Sequence, residues 1–194
     1  MSPSPDLHST FMEFMVARNR PRMDGFKQWI FHPGMLFQAE GRWWGDQGRR
    51  PAPHEGLDLY RFADAAGMTK TVDQHTKIPA AFAGQVVKIH RDFLGQSIYM
   101  SHVIFAADGR QLISAFGHTV PRETLTIGGS VAAGEIIAAI SGFPGKHTDL
   151  LPHLHLTFAW GPVDLSPAQL TWENLGNDPG ITLIDPLPVI SKLI

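Results

Sequence analysis

From His54 onward the chain is a series of short apolar runs separated by turn residues: LDLYRF (57–62), AGQVVKI (83–89), QSIYMSHVIF (96–105), RQLISAFGH (110–118), GEIIAAISG (134–142) and HLHLTFAW (153–160). Their length and their β-branched and aromatic content predict strands. Asp108-Gly109 between two of them is a strong hairpin signal, so SHVIFAA and RQLISAF are expected to pair antiparallel. Gly128-Gly129 and Gly134 bracket a small connection, and Gly142, Pro144 and Gly145 end the next strand in a loop. Ahead of this region Leu7, Phe11, Phe14 and Met15 fall at i, i+4, i+7 and i+8, a helical stripe that Pro21 stops. Residues 26–50 carry Phe26, Trp29, Phe31, Phe37, Trp43 and Trp44 in pieces broken by Pro33, Gly34, Gly41, Gly45 and Gly48, which reads as short strands and loops. The expectation is a mainly β domain over 51–190, an antiparallel sheet of barrel-sandwich type, with an N-terminal extension over 1–50 whose amphipathic helix docks on it.

With 194 residues, 43% hydrophobic and 18% charged, the chain is long and apolar enough to bury a core, which excludes disorder as its main state. A net charge of -2 and a pI near 6.5 give no general attraction for a phosphate backbone or an anionic bilayer, and no nucleic-acid partner is expected. No apolar stretch is long enough to span a membrane, and no export signal is visible in this chain. The absence of cysteine excludes disulfides, thiolate nucleophiles and Cys-based metal sites, so any bound metal must be held by His and carboxylate.

The candidate chemistry lies on predicted strands. In LPHLHLTFAW, His153, His155, Thr157 and Ala159 share one face, and Leu154, Leu156, Phe158 and Trp160 the other. A polar strand face would produce the same pattern, so the pair is not decisive alone. In PHEGLDLYRF, His54 and Asp58 are four apart and share a face, with Glu55 pointing away. Pro53 and Gly56 disfavour a helix, and Asp58 stands where a His-Glu-x-x-His motif needs its second histidine, which excludes the helical zincin pattern. His54, Asp58 and one of the paired histidines make two imidazoles and one carboxylate, a zinc set that leaves a fourth position for water or substrate. His118, at the end of SAFGHTV, adds a further imidazole.

The ordered set His54-x-x-x-Asp58, then His118 after an aromatic-containing strand, then His153-Leu154-His155 resembles the lysostaphin-type, or LytM-like, zinc metallopeptidases that act on peptidoglycan. KIPAAFAGQVV resembles that family's strand pair after the first motif, LTIGGSVAAGEIIAAISG its glycine-rich hairpin, and Ile184-Asp185-Pro186 its closing Asp-Pro. The resemblance implies that His54, Asp58 and His155 are zinc ligands and that His118 and His153 are catalytic. It departs from the family in the long ADAAGMTKTVDQH segment, in Ile78-Pro79 and in Leu156-Thr157 after the His-x-His. The glycine-rich segment is given no chemistry, because tight turns explain its glycines and no Lys sits at its turn. His8, His32, His75, His90, His102 and His147 are unassigned, with a structural hydrogen bond expected for His102. The Trp43-Trp44 pair reads as core, with stacking on a sugar or stem peptide as the alternative.

What the resemblance implies is a zinc-dependent endopeptidase cleaving peptidoglycan stem peptides or cross-bridges at the cell envelope. Zinc would lower the pKa of a bound water and polarise the scissile carbonyl, while a nearby imidazole moves the proton. The alternatives are a non-catalytic wall-binding or amidase-activating module of the same fold, and a metallopeptidase acting on other peptides.

Overall fold

The computed structural model describes residues 7–142 and 149–191, so Pro144, Gly145 and His147 lie outside the described residues. In chain order the elements are α1 (Phe11–Arg18), β1 (Phe26–Ile30), β2 (Leu57–Leu59), β3 (Arg61–Asp64), β4 (Thr69–Thr71), β5 (Lys77–Pro79), β6 (Gly84–Arg91), β7 (Gln96–Phe105), β8 (Gln111–Pro121), β9 (Ser130–Val131), β10 (Ile136–Ile140), β11 (Leu154–Gly161), α2 (Trp172–Asn177), β12 (Thr182–Ile184) and α3 (Pro186–Ile190). The architecture is mainly β, and every strand pairing among the described residues is antiparallel.

The central strands run in the order β12-β11-β8-β7-β6-β9, with β2, β10 and β5 joined to the same sheet. The expected hairpin is present: Gly109 takes φ +84, its N–H donates to the Ala106 carbonyl, and Phe105 faces Gln111 across β7 and β8. β11 is buried along its whole length because each face meets its own apolar cluster. Leu154, Leu156, Phe158 and Trp160 enter the main core, while Ala159 packs with Tyr99, Ile113, Leu170 and Leu175. The period-2 pattern read from the sequence thus separates two real faces.

Three local expectations differ. LDLYRF is two strands, since the chain leaves the large sheet at Tyr60: β2 pairs with β11, whereas β3 joins β1 and β4 in a separate three-stranded sheet. The glycine-rich segment is not a hairpin, because β9 pairs with β6 and β10 pairs with β8 and β5. The turn between them is closed by Glu135 N–H on the Ala132 carbonyl, with Gly134 at φ +75, and carries the chain from one partner to the other. Leu7 precedes the helix instead of belonging to it, while Phe11, Met12 and Met15 of α1 enter the main core. Asp185 caps α3 by accepting from Leu187 N–H, which gives the Ile184-Asp185-Pro186 run a local structural role. No helix among the described residues is long and apolar enough to cross a membrane.

His102 has the structural role expected of it. Its Nδ1 donates to the Ala83 carbonyl at 2.9 Å and its Nε2 accepts from Ser114 Oγ at 2.8 Å, with 1% of the residue exposed. Burial lowers its pKa despite the opposing carbonyl contact. The folded protein therefore keeps His102 neutral, while the unfolded chain takes up a proton below about pH 6.5, so this residue makes stability fall as pH drops through that value. Denaturant unfolding followed from about pH 7.5 to pH 5 should show a slope up to about 1.4 kcal/mol per pH unit smaller in His102→Gln than in the parent. Equal slopes would show that His102 takes up its proton as readily in the folded state as in the unfolded chain.

Candidate metal centre

The ladder brings the distant motifs together. His155 on β11 lies opposite Asp58 on β2 and Gly117 on β8, which sets His118 beside them, and His153 sits just before β11 begins. His54 is not on a strand as the spacing suggested. It lies in the loop before β2, where its N–H donates to the Ala39 carbonyl and its own carbonyl accepts from Gln38 N–H. Pro53 and Gly56 explain the break. A Cβ at Gly56 would stand 2.8 Å from His155 Nε2 and closer still to the Leu156 carbonyl, so only glycine lets the loop approach β11 here.

Three atoms from these residues form a tight triangle. His54 Nε2 is 3.1 Å from His155 Nδ1 and 3.2 Å from Asp58 Oδ1, and His155 Nδ1 is 2.9 Å from Asp58 Oδ1. His54, Asp58 and His155 are the group among the described residues that could hold a metal ion. The opposite edges of both rings are engaged. His54 Nδ1 donates to the Leu36 carbonyl at 2.9 Å, which fixes its tautomer and leaves the lone pair on Nε2. His155 Nε2 meets Thr157 Oγ1 at 3.1 Å.

The other two histidines border the triangle. His153 Nε2 is 3.7 Å from Asp58 Oδ1, its Nδ1 donates to the Leu151 carbonyl, and its ring stands 4.9 Å from that of His118. Burial lowers His153 to about 4 and also lowers His155, so both are neutral at pH 7. Burial works to raise the Asp58 carboxyl, but the imidazoles of His54 and His153 beside it and the hydrogen bond from His155 Nδ1 hold it well below the usual carboxylate range. The result is an anionic oxygen beside the His54 Nε2 lone pair and a His155 ring whose Nδ1 proton a cation could replace, electrostatics that suit a cation.

Asp58 Oδ2 accepts from Trp43 Nε1 at 2.7 Å and is 3.4 Å from Arg50 Nη2. Trp43 was expected as core, and it is buried, stacked on Tyr60 and set edge-on to His153, but its indole N–H is aimed at the site. The available signal was the need of a buried Trp N–H for an acceptor. Nothing local marks Arg50, whose guanidinium also donates to the carbonyls of Gly34 and Gly41 and lies over the Trp44 ring. A cavity of about 420 Å³, lined by Arg42, Trp44, Arg50, Glu55, Trp172 and Glu173 among others, adjoins this wall. Trp172 also packs edge-on against His155, with ring centroids 4.6 Å apart.

Among solved structures, lysostaphin is similar to this chain with a TM-score of 0.47 and 18% identity, over 82% of this chain and 55% of that one, so the chain spans little more than half of lysostaphin's length. LytU is similar with a TM-score of 0.46 and 19% identity, over 85% of this chain and 90% of that one. A variant of the catalytic domain of the prophage-encoded protein EnpA from Enterococcus faecalis is similar with a TM-score of 0.40 and 20% identity, over 74% of this chain and 95% of that one. No protein-family model matches the chain, and no curated protein matches it.

The Trp43 contact makes a direct prediction. Trp43→Phe keeps the ring but removes the donor to a buried carboxylate, and should destabilise the protein by about 1–3 kcal/mol in urea unfolding. A variant as stable as the parent would show that the bond contributes nothing.

Proposed function

We propose that this chain is a zinc-dependent endopeptidase acting on peptide bonds of peptidoglycan, with His54, Asp58 and His155 holding the metal and His118 and His153 serving catalysis. The observation that carries this reading is the triangle of donor atoms, with edges of 2.9, 3.1 and 3.2 Å. Tetrahedral zinc with bonds of about 2.0–2.1 Å needs its ligand atoms roughly 3.3 Å apart, within a few tenths of an ångström of these edges. The donor set, two imidazoles and a carboxylate without cysteine, is of the open catalytic kind. Bound there, zinc would supply a Lewis acid and a water of lowered pKa.

This chain's own residues would do the rest. Asp58 brings the negative charge, and Trp43 and Arg50 hold its second oxygen so that Oδ1 stays in the triangle. His153, neutral and with its Nδ1 proton committed to the Leu151 carbonyl, presents Nε2 to the centre, where it can accept a proton or a hydrogen bond. His118, most exposed of the five with 18% of its side chain open, sets its ring 4.9 Å from that of His153. The peptidoglycan assignment, and with it a place at the cell envelope, is supported by the ordered motifs His54-x-x-x-Asp58, His118 and His153-Leu154-His155.

Purified protein should carry about one zinc per chain by elemental analysis. His155→Ala should lose it, whereas His118→Ala and His153→Ala should retain it and lower turnover by roughly 10²–10⁴-fold. Retention of zinc by His155→Ala with loss in His153→Ala would exchange the two roles. On purified peptidoglycan the zinc-loaded protein should release new amino termini, and a chelator should stop the release. Co-sedimentation with the wall and no release would replace the peptidase with a binding module, and cleavage of other peptides alone would remove peptidoglycan as the substrate.

A further inference from the structure

His118 stands at a discontinuity in the sheet. β8 pairs with β11 up to Gly117 and with β10 from Thr119, and the residue between takes φ +61, a left-handed conformation that residues with a side chain rarely adopt. Its carbonyl accepts from Ser141 N–H at 2.8 Å, and its N–H is held by a carboxylate from the loop between β6 and β7. Asp92 Oδ2 accepts from His118 N–H at 2.9 Å and from Ser97 Oγ at 2.6 Å. Asp92 Oδ1 accepts from Leu94 N–H at 2.9 Å and Gly95 N–H at 2.6 Å, and lies 3.3 Å from His118 Nδ1. That last contact is within ion-pair range but poorly aligned for a hydrogen bond, and the buried Nδ1 has no hydrogen-bond partner among the described residues.

The surroundings leave one arrangement for the ring. The atom facing Nδ1 is a carboxylate oxygen, which can only accept, so the proton belongs on Nδ1 and the lone pair on Nε2. Burial alone would raise the Asp92 carboxyl, but the contacts with His118 and Ser97 outweigh it and hold the group below the usual carboxylate range, so it is an acceptor at neutral pH. Ser97 Oγ in turn accepts from Trp172 Nε1 at 3.1 Å, and the Trp172 ring packs on His155. One chain of contacts therefore runs from Asp92 through Ser97 and Trp172 to the triangle.

We propose that Asp92 is a positioning residue for His118, fixing both its left-handed backbone and its Nδ1–H tautomer so that the Nε2 lone pair is the one offered to the site. The consequence for turnover rests on the peptidase reading above, but the tautomer does not. The test uses the full chain, zinc-loaded and labelled with ¹⁵N-histidine, with the His118 signals identified by their loss in His118→Gln. Neutral His118 should show the proton on Nδ1 in the parent. The Nε2–H tautomer there would overturn the proposal, with or without peptidase activity.

Asp92→Asn should weaken the Nδ1–H preference and lower kcat by roughly 10–10²-fold, with KM and zinc content near the parent values. A folded, zinc-loaded Asp92→Asn with unchanged tautomer and kcat would also overturn it. Should that variant not fold, Ser97→Ala removes only one of the donors that orient Asp92, its hydroxyl, and a smaller change in the same direction is expected in both readouts; no change in either counts against the proposal. If the parent cleaves nothing, the peptidase reading fails and the tautomer alone decides the role of Asp92.

Discussion

The centre depends on keeping one carboxylate charged while 2% of it is exposed. An unpaired ion in such a place costs several kcal/mol, so its neighbours must compensate on every side. Asp58 has imidazoles at Oδ1 and the Trp43 indole and Arg50 guanidinium at Oδ2. The need reaches beyond the contact atoms. The long segment from His32 to Gly56 contains only a short helical turn and one isolated bridge, between Gly41 and Arg49. Its side chains end on Asp58, and its carbonyls at Gly34, Gly41 and Leu36 receive Arg50 and His54.

Sheet geometry determines where this charge can sit. β11 exchanges its partner on one edge from β2 to β12, and β8 exchanges β11 for β10. At such changeovers the ladder opens and side chains from three strands and a loop can converge. The centre occupies one, with His155 opposite both Asp58 and Gly117. Gly117 is required there, since a Cβ would come 2.8 Å from Trp172 and 3.3 Å from the His155 side chain.

What the sequence revealed is what depends on neighbours in the chain. The alternation of 153–160, the Asp108-Gly109 turn and the short spacing of His54 and Asp58 all report local periodicity or turn chemistry. His54 nonetheless converges on Asp58 from a loop, because its backbone pairs with residues 38 and 39 and not with a strand, a contact no local pattern encodes. The Tyr60 break and the divergence of β9 from β10 are likewise set by which partner each strand finds. Asp92 was invisible for the same reason: it lies 26 residues from His118 and reads as an ordinary turn aspartate. Trp43 drew notice as a large aromatic, but its N–H acceptor comes from a different sheet element.

The packing of the N-terminal segment sets a limit on modularity. Phe11, Met12 and Met15 lie in the same core as Leu154 and Phe158, Asn19 bonds to Lys77 through both ends of its side-chain amide, and β1 pairs with β3. The strands that carry the histidines are therefore not a portable cassette. Grafting residues 51–190 into another protein would transplant the triangle without Trp43 and Arg50, and with a strip of uncovered core where the first helix had been. Recombination that preserves this centre must move its wrapping along with it.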